Sequence, residues 1–312
     1  MKNPKEKWPV VKRLSRSPLA IAVASLCLGL APSAFAVPVD LGGAADYAVL
    51  GAGGSGTFSV EKVYQSGTVI NGNVGMGPYT SLDHYVDATI NGRFDFDLTD
   101  SASQVATQTA GSAISGGVHQ IDLSGVVKDA RDASATAALL APTQNFSTLS
   151  EGQTIVGGAG LNVIRITGDV TLKTFLNITG SASSTFVFQL TSSTADGHDV
   201  LSLSGMTMNL SGGVLADSIL WNLNGLGGGV DIQAMADGQT VFGTFLAPDR
   251  DILSDHGIID GRLIGGGSGN LLNVHSGSEI TSASTVPDGG STLALLGAAL
   301  LGLTGLKRKF AV

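Results

Sequence analysis

The sequence predicts a mostly β fold, an irregular parallel β-solenoid with one long α-helix packed alongside, and leaves a β-sandwich as its rival. Three observations carry this. Short apolar runs alternate with polar residues and end at a glycine. Some of those glycines recur at spacings near 20 residues, as from Gly72 to Gly92 and from Gly243 to Gly261. One stretch alone has apolar residues at helical spacing.

The alternating phrases come first along the chain. They read "TVINGNV" (68–74), "ATINGRF" (88–94), "IRITGDV" (164–170), "LNITGSA" (176–182), "LSLSGMT" (201–207), "TVFGTFL" (240–246) and "GIIDGRLI" (257–264). Period-two alternation marks a half-buried strand, and the glycine marks a corner where a β-carbon would clash. A repeat near 20 residues is the scale of one solenoid coil. Turns every 8 to 12 residues would suit a sandwich instead.

The helical stretch is "GVVKDARDASATAALLAPTQ". Val126, Val127, Ala130, Ala133, Ala137 and Leu140 share a face, Ser124 is the expected N-cap and Pro142 the stop. A second helix is expected in "LTDSASQVATQTAGSAI", capped by Asp100 or Thr99.

Three segments divide the chain: a signal peptide is expected at 1–36, a β-solenoid-like extracellular domain at 37–285 and an apolar tail with a basic end at 286–312. The first begins with Lys2, Lys5, Lys7, Lys12, Arg13 and Arg16, continues through an apolar run from Leu19 to Leu30 and ends in "AFA". Ala34 and Ala36 stand where signal peptidase reads, so cleavage is expected after Ala36. Cys27, the single cysteine, leaves with the signal, and the mature chain has neither disulfides nor thiolate metal sites. In the tail, Leu293 to Leu306 is almost wholly Leu, Ala and Gly, and Lys307, Arg308 and Lys309 follow as a stop-transfer cluster facing the cytoplasm.

Between the two targeting segments lie 8 Lys and Arg against 23 Asp and Glu, a net charge of −15, where the whole chain shows only −8. Such a charge opposes nucleic acid and anionic membrane surfaces as partners. Twenty of those 23 acids are Asp, a residue of turns and caps. About 250 residues suffice for one core.

The tail "VPDGGST", with its apolar run and basic end, resembles the VPDSG-type member of the PEP-CTERM group of sorting signals; Gly289 stands where the motif has Ser. The resemblance covers residues 286 to 310. It implies that Val286, Pro287, Asp288 and Gly289 are read or cut by a membrane enzyme of the exosortase class, a substrate site and not a catalytic one. The tail would hold the exported protein at the inner membrane through a C-terminal helix until processing. The product would then pass to the cell surface or extracellular matrix.

The domain resembles the ice-binding-like and "choice-of-anchor A" domains of exported bacterial proteins. The matching phrases are "ADYAVLGAGG", "TVINGNVGMGP", "STFVFQL" (184–190), "ILWNLNG" (219–225) and "GTFLAPDRDILSDHGIIDGRLIGG" (243–266). This implies an irregular β-solenoid with a long helix beside it. Some relatives bind ice through a flat Thr-rich face. Here the expected outward residues are mixed: Thr68, Asn71, Asn91, Thr167, Thr179, Ser204, Thr240 and Asp260.

Catalytic patterns are lacking. There is no G-x-S-x-G elbow and no H-E-x-x-H helix, and His84, His119, His198, His256 and His275 share no ligand spacing. The best polar constellation is "APDRDILSDHGIID". Asp249, Asp251 and Asp255 are its calcium candidates through oxygen ligands, though no EF-hand spacing is kept. Trp221, the one mature tryptophan, reads as core packing ahead of a sugar platform. The sequence therefore predicts a secreted, non-catalytic surface or matrix protein without a cofactor. Its expected partners are signal peptidase, an exosortase-type enzyme and the membrane. A flat face binding ice or extracellular polysaccharide is the alternative.

Overall fold

The computed structural model describes residues 39–60, 67–82, 88–191, 200–233, 239–275 and 277–282. The signal residues Ala34 and Ala36, the motif Val286 to Gly289 and the cluster Lys307 to Lys309 lie outside these, as do His84 and His198.

Five of the seven alternating phrases fold as strand, glycine corner, strand, whereas Thr240–Ala247 and Ile258–Gly265 each run as one long strand through Gly243 and Gly261. Thr68–Asn71 and Asn73–Met76 flank Gly72, and Ala88–Ile90 and Phe94–Asp97 flank the corner at Gly92. A β-carbon on Gly92 would lie 2.4 Å from the Gly72 carbonyl oxygen, and one on Gly261 only 1.9 Å from that of Gly243. The spacing near 20 residues is thus one coil, and its glycines stack because successive corners leave no room for a side chain.

Every strand pairing among the described residues is parallel. This decides for the solenoid over the sandwich, whose sheets are antiparallel. Among the described residues ten strands stack along the first face. In axial order they are Gln144–Phe146, Gly160–Ile166, Ser184–Leu190, Ile219–Asn222, Thr240–Ala247, Ile258–Gly265, Tyr47–Gly51, Asn73–Met76, Phe94–Asp97 and Val118–Ile121. The chain therefore starts mid-stack and winds to one end. It then returns along the outside as a helix, restarts at the other end and winds back until Leu50 pairs with Ile264.

The second face joins the sheet of Thr154–Val156, Phe175–Thr179 and Thr207–Ser211 to the first halves of the two long strands, then to Glu279–Thr281, Thr68–Asn71, Ala88–Ile90 and Ala113–Ile114. The third face has seven strands among the described residues, from Val170–Leu172 to Ser81–Leu82.

Among the described residues two α-helices accompany the strands. The shorter, α1, runs Ala102–Gln108; its cap is Ser101, whose side chain accepts the Gln104 N–H, and not Asp100 or Thr99 as expected. The longer, α2, runs Ser124–Leu139. Its N-cap position is Leu123, not Ser124; the Asp122 carboxylate instead accepts both the N–H and the hydroxyl of Ser124. The expected stripe packs as predicted on Val127, Ala130, Ala133 and Ala137. It covers an aliphatic row on the first face that includes Val163, Val187, Leu220, Leu246, Ile264 and Leu50. Small alanines let the helix axis approach the sheet closely.

Polar side chains fix the helix along its length. Asp97 accepts the Leu123 N–H, Arg131 pairs with Asp249, Ser134 bonds Asn222, and Gln189 donates to the carbonyls of Ala137 and Leu140 at the helix end. Inside the solenoid a separate apolar core includes Phe188, Trp221 and Phe245 stacked in register.

Candidate binding faces

With α2 on the first face, the second and third faces carry the outward rows. On the three-stranded part of the second face, alternation turns Ile155, Leu176, Ile178 and Met208 inward. It leaves Thr154, Asn177 and Asn209 side by side in register. Asn209 Nδ2 donates to Asn177 Oδ1 at 3.0 Å, and Asn177 Nδ2 to Thr154 Oγ1 at 3.2 Å. The adjoining row is Val156, Thr179 and Ser211, with the two hydroxyls 2.8 Å apart. On the other part, Asn91 Nδ2 donates to Asn71 Oδ1 at 2.7 Å and Asn71 Nδ2 to Thr281 Oγ1 at 3.0 Å. Phe242 and Asp260 share that register. Burial, then the Asp217 charge, raises the Asp260 carboxyl above its ordinary range.

Of the eight residues expected to point outward, Asn71, Asn91, Thr179, Thr240 and Asp260 belong to this face. Ser204 belongs to the third, and Thr167 is exposed in a turn. Thr68 is the correction. It is fully buried, with its hydroxyl on the His275 carbonyl at 3.0 Å, because the phase of its strand puts Val69 and Asn71 outside. On the third face Thr171, Ser202, Asp231, Leu253 and Asn273 share one row. Neither face carries an unbroken threonine row among the described residues.

The calcium candidates do not converge. Asp249 accepts Arg131 and Ser268, Asp251 accepts the Leu271 N–H, and Asp255 pairs with His256 at 2.8 Å. No cluster of three metal-ligating side chains occurs among the described residues. Trp221 is buried, with its indole N–H on the Phe242 carbonyl, and is not a surface platform.

One constellation escaped the sequence reading. Beyond the end of the aliphatic row, Asp95 is fully buried and accepts the Tyr47 hydroxyl at 2.7 Å and Arg93 Nε at 2.5 Å, with His119 Nδ1 at 3.3 Å. Burial and the bond to Asp95 push the Tyr47 phenol up to about 12. The available signal was "FDFD" (94–97), where two aspartates alternate with phenylalanines in a strand buried on both sides. Asp95 ties the first coils together and Asp97 holds the start of α2.

This fold is shared with solved ice-binding proteins. The chain matches the one from the Antarctic ascomycete Antarctomyces psychrotrophicus with a TM-score of 0.50 at 20% identity, over 79% of this chain and 99% of that one. It matches LeIBP from an Arctic yeast with a TM-score of 0.51 at 19% identity, over 78% and 94%. At such identity the likeness is one of fold. Residues 33–279 match the family described as "Putative Ice-binding-like adhesive domain", and the chain belongs to that family. Residues 285–310 match the VPDSG-CTERM motif. None of the curated proteins matches the chain, and among the described residues no helix is long and apolar enough to cross a membrane.

Proposed function

We propose that this protein is exported, sorted through its tail, and serves at the cell surface or in the extracellular matrix as a non-catalytic adhesive component. The carrying observation is the order of two matches in one chain, an ice-binding-like adhesive domain at 33–279 followed by a VPDSG-CTERM motif at 285–310. In this reading signal peptidase cuts after Ala36. An exosortase-type enzyme reads Val286, Pro287, Asp288 and Gly289, while the apolar run and Lys307, Arg308 and Lys309 hold the precursor in the inner membrane. Adhesion uses the second face, whose amides and hydroxyls present donors and acceptors together. Its mixed rows favour a hydroxylated polymer such as extracellular polysaccharide over ice, for which repeated threonines are expected. Asp249, Asp251 and Asp255 act as turn supports in this reading, not as calcium ligands.

The test is expression of the full chain, and of a chain lacking 286–312, in a host that carries an exosortase-type enzyme. Shortening near Asp288 with appearance at the surface or in the medium is the expected result. A full-length product retained in the inner membrane overturns the sorting part and leaves a membrane-tethered protein.

A further inference from the structure

Both ends of the first-face sheet are open, and they match each other. At one end the outermost strand is Val118–Ile121, paired inward with Phe94–Asp97. At the other it is Gln144–Phe146, paired inward with Gly160–Ile166. Among the described residues neither has a partner on its outer side. The Phe94 N–H bonds the Gly117 carbonyl, so by the alternation of a parallel ladder Val118 and Gln120 present their backbone groups outward. Such an edge is a template for another strand, and natural sheets usually blunt it with charge, proline or a covering element. The two edge strands, "VHQI" and "QNF", contain no Lys, Arg, Asp, Glu or Pro. Helix α1 covers only the third-face edge, where Gln108 donates to the Leu82 carbonyl and Val105 is buried.

Exposed apolar side chains gather at the same ends. Six of the ten large ones among the described residues lie there: Leu98, Val118 and Ile121 at one end, Leu139, Val156 and Leu161 at the other. Single exposed apolar residues need no explanation, but concentration on two opposed ends marks interaction surfaces.

We propose that the solenoid binds a second copy of itself end to end, with Gln144–Phe146 of one copy continuing the parallel sheet beyond Val118–Ile121 of the next. Direction identifies the occupant: all ten first-face strands run the same way, so a copy shifted along the axis delivers its first strand parallel to the last strand of its neighbour. The contact joins two different patches and does not close on itself, so it propagates as an open filament. Ten strands at about 4.8 Å give an axial repeat of about 48 Å.

The experiment compares the full chain, purified in detergent, with a Val118→Lys/Ile121→Lys variant and a Leu161→Lys variant. Readouts are sedimentation and negative-stain microscopy, with circular dichroism checking the fold. Wild type is expected to grow with concentration into filaments of about 48 Å repeat. Each variant should fail to elongate alone and should shorten wild-type filaments when mixed in at a tenth of their concentration, because its unblocked end still docks. Val118→Pro, which removes an outward N–H and no internal bond, is expected to act like the lysine variant if the latter misfolds. Wild type that sediments as a single chain at all concentrations overturns the proposal. So do clusters without the repeat, and variants that assemble as wild type does.

Discussion

The indole of Trp221 lies flat on the ring of Phe188, with centroids 4.0 Å apart and planes 10° from parallel. Phe245 continues the stack on the next coil at 6.1 Å. These residues sit opposite one another in three successive strands, so the rings form an axial column inside the solenoid. Trp221→Ala should cost about 3–5 kcal/mol through the cavity it leaves. Trp221→Phe keeps a ring and loses only volume and the bond to the Phe242 carbonyl, so a smaller loss is expected. Denaturant midpoints of the two variants check the order.

Asp95 offers a prediction with a pH signature. Its carboxylate accepts Tyr47 and Arg93 from within the fold, and removing it leaves both without that partner. Asp95→Ala should cost about 2 kcal/mol, below the usual figure for a broken buried pair because Arg93 is partly exposed and hydrated. The Tyr47 phenol is held near 12 by burial first and by Asp95 second, so in Asp95→Asn it should titrate lower but still above its ordinary value. In the native protein the phenol binds its proton more tightly when folded. Its stability contribution is complete below pH 10 and is lost as pH rises toward about 12. Ultraviolet titration of tyrosinate in wild type and variant measures both shifts.

Asp100 works against the fold. Burial, then the Asp97 charge, raises its carboxyl to about 6, and its buried Oδ2 has no hydrogen-bond partner. Because this carboxyl is raised in the folded state, its contribution to stability is most favourable below about 3.8 and is lost as pH rises toward 6. Asp100→Asn should therefore stabilise the protein at pH 7 by about 1 kcal/mol, after allowing for solvent screening at a half-buried site. It should also flatten the pH dependence between those values. An unchanged thermal midpoint at neutral pH would sink this assignment.

The corner glycines predict a sharp contrast. At Gly261 the backbone has φ +156°, and a β-carbon meets the Gly243 carbonyl oxygen at 1.9 Å. Gly158 has nothing within 4 Å. Gly261→Ala should cost about 3 kcal/mol or more, and Gly158→Ala less than about 1 kcal/mol. Equal midpoints would show that the stacked corner relaxes freely.

The individual coils were legible because strand alternation and corner glycines are local and repeat wherever the chain turns. The α2 stripe was legible for the same reason. The axial order was not: no local signal says that the strand at Ile258–Gly265 stacks on the one at Tyr47–Gly51, since that contact exists only because α2 carries the chain back to the far end. Thr68 shows a second limit. Threonine suits either side of a pleat, and the phase is set by Ile70, which must point into the core. Asp95 shows a third, since its burial depends on a partner, Tyr47, that comes from a different coil and that no local pattern in the sequence names. The polar rows were half legible. Their residues were visible in sequence, but which ones share a row depends on coil-to-coil register.

Those rows give the functional prediction. Asn209 and Thr179 lie on the three-stranded part of the second face, their side chains outward and linked to Asn177 and Ser211. Lysine at either position keeps the inward core untouched, so stability should change by no more than about 0.5 kcal/mol. It would break the amide and hydroxyl rows and place a long charged chain across a flat surface. If adhesion to polysaccharide uses this face, Asn209→Lys and Thr179→Lys should each weaken binding about tenfold, equivalent to about 1.4 kcal/mol. Ser204→Lys on the third face should leave it unchanged. Pull-down on insoluble polysaccharide and retention on growing ice, run with the same three variants, separate the two ligands. Loss of binding with Ser204→Lys alone would move the adhesive surface to the third face, and retention on ice abolished by Thr179→Lys would favour ice over polymer.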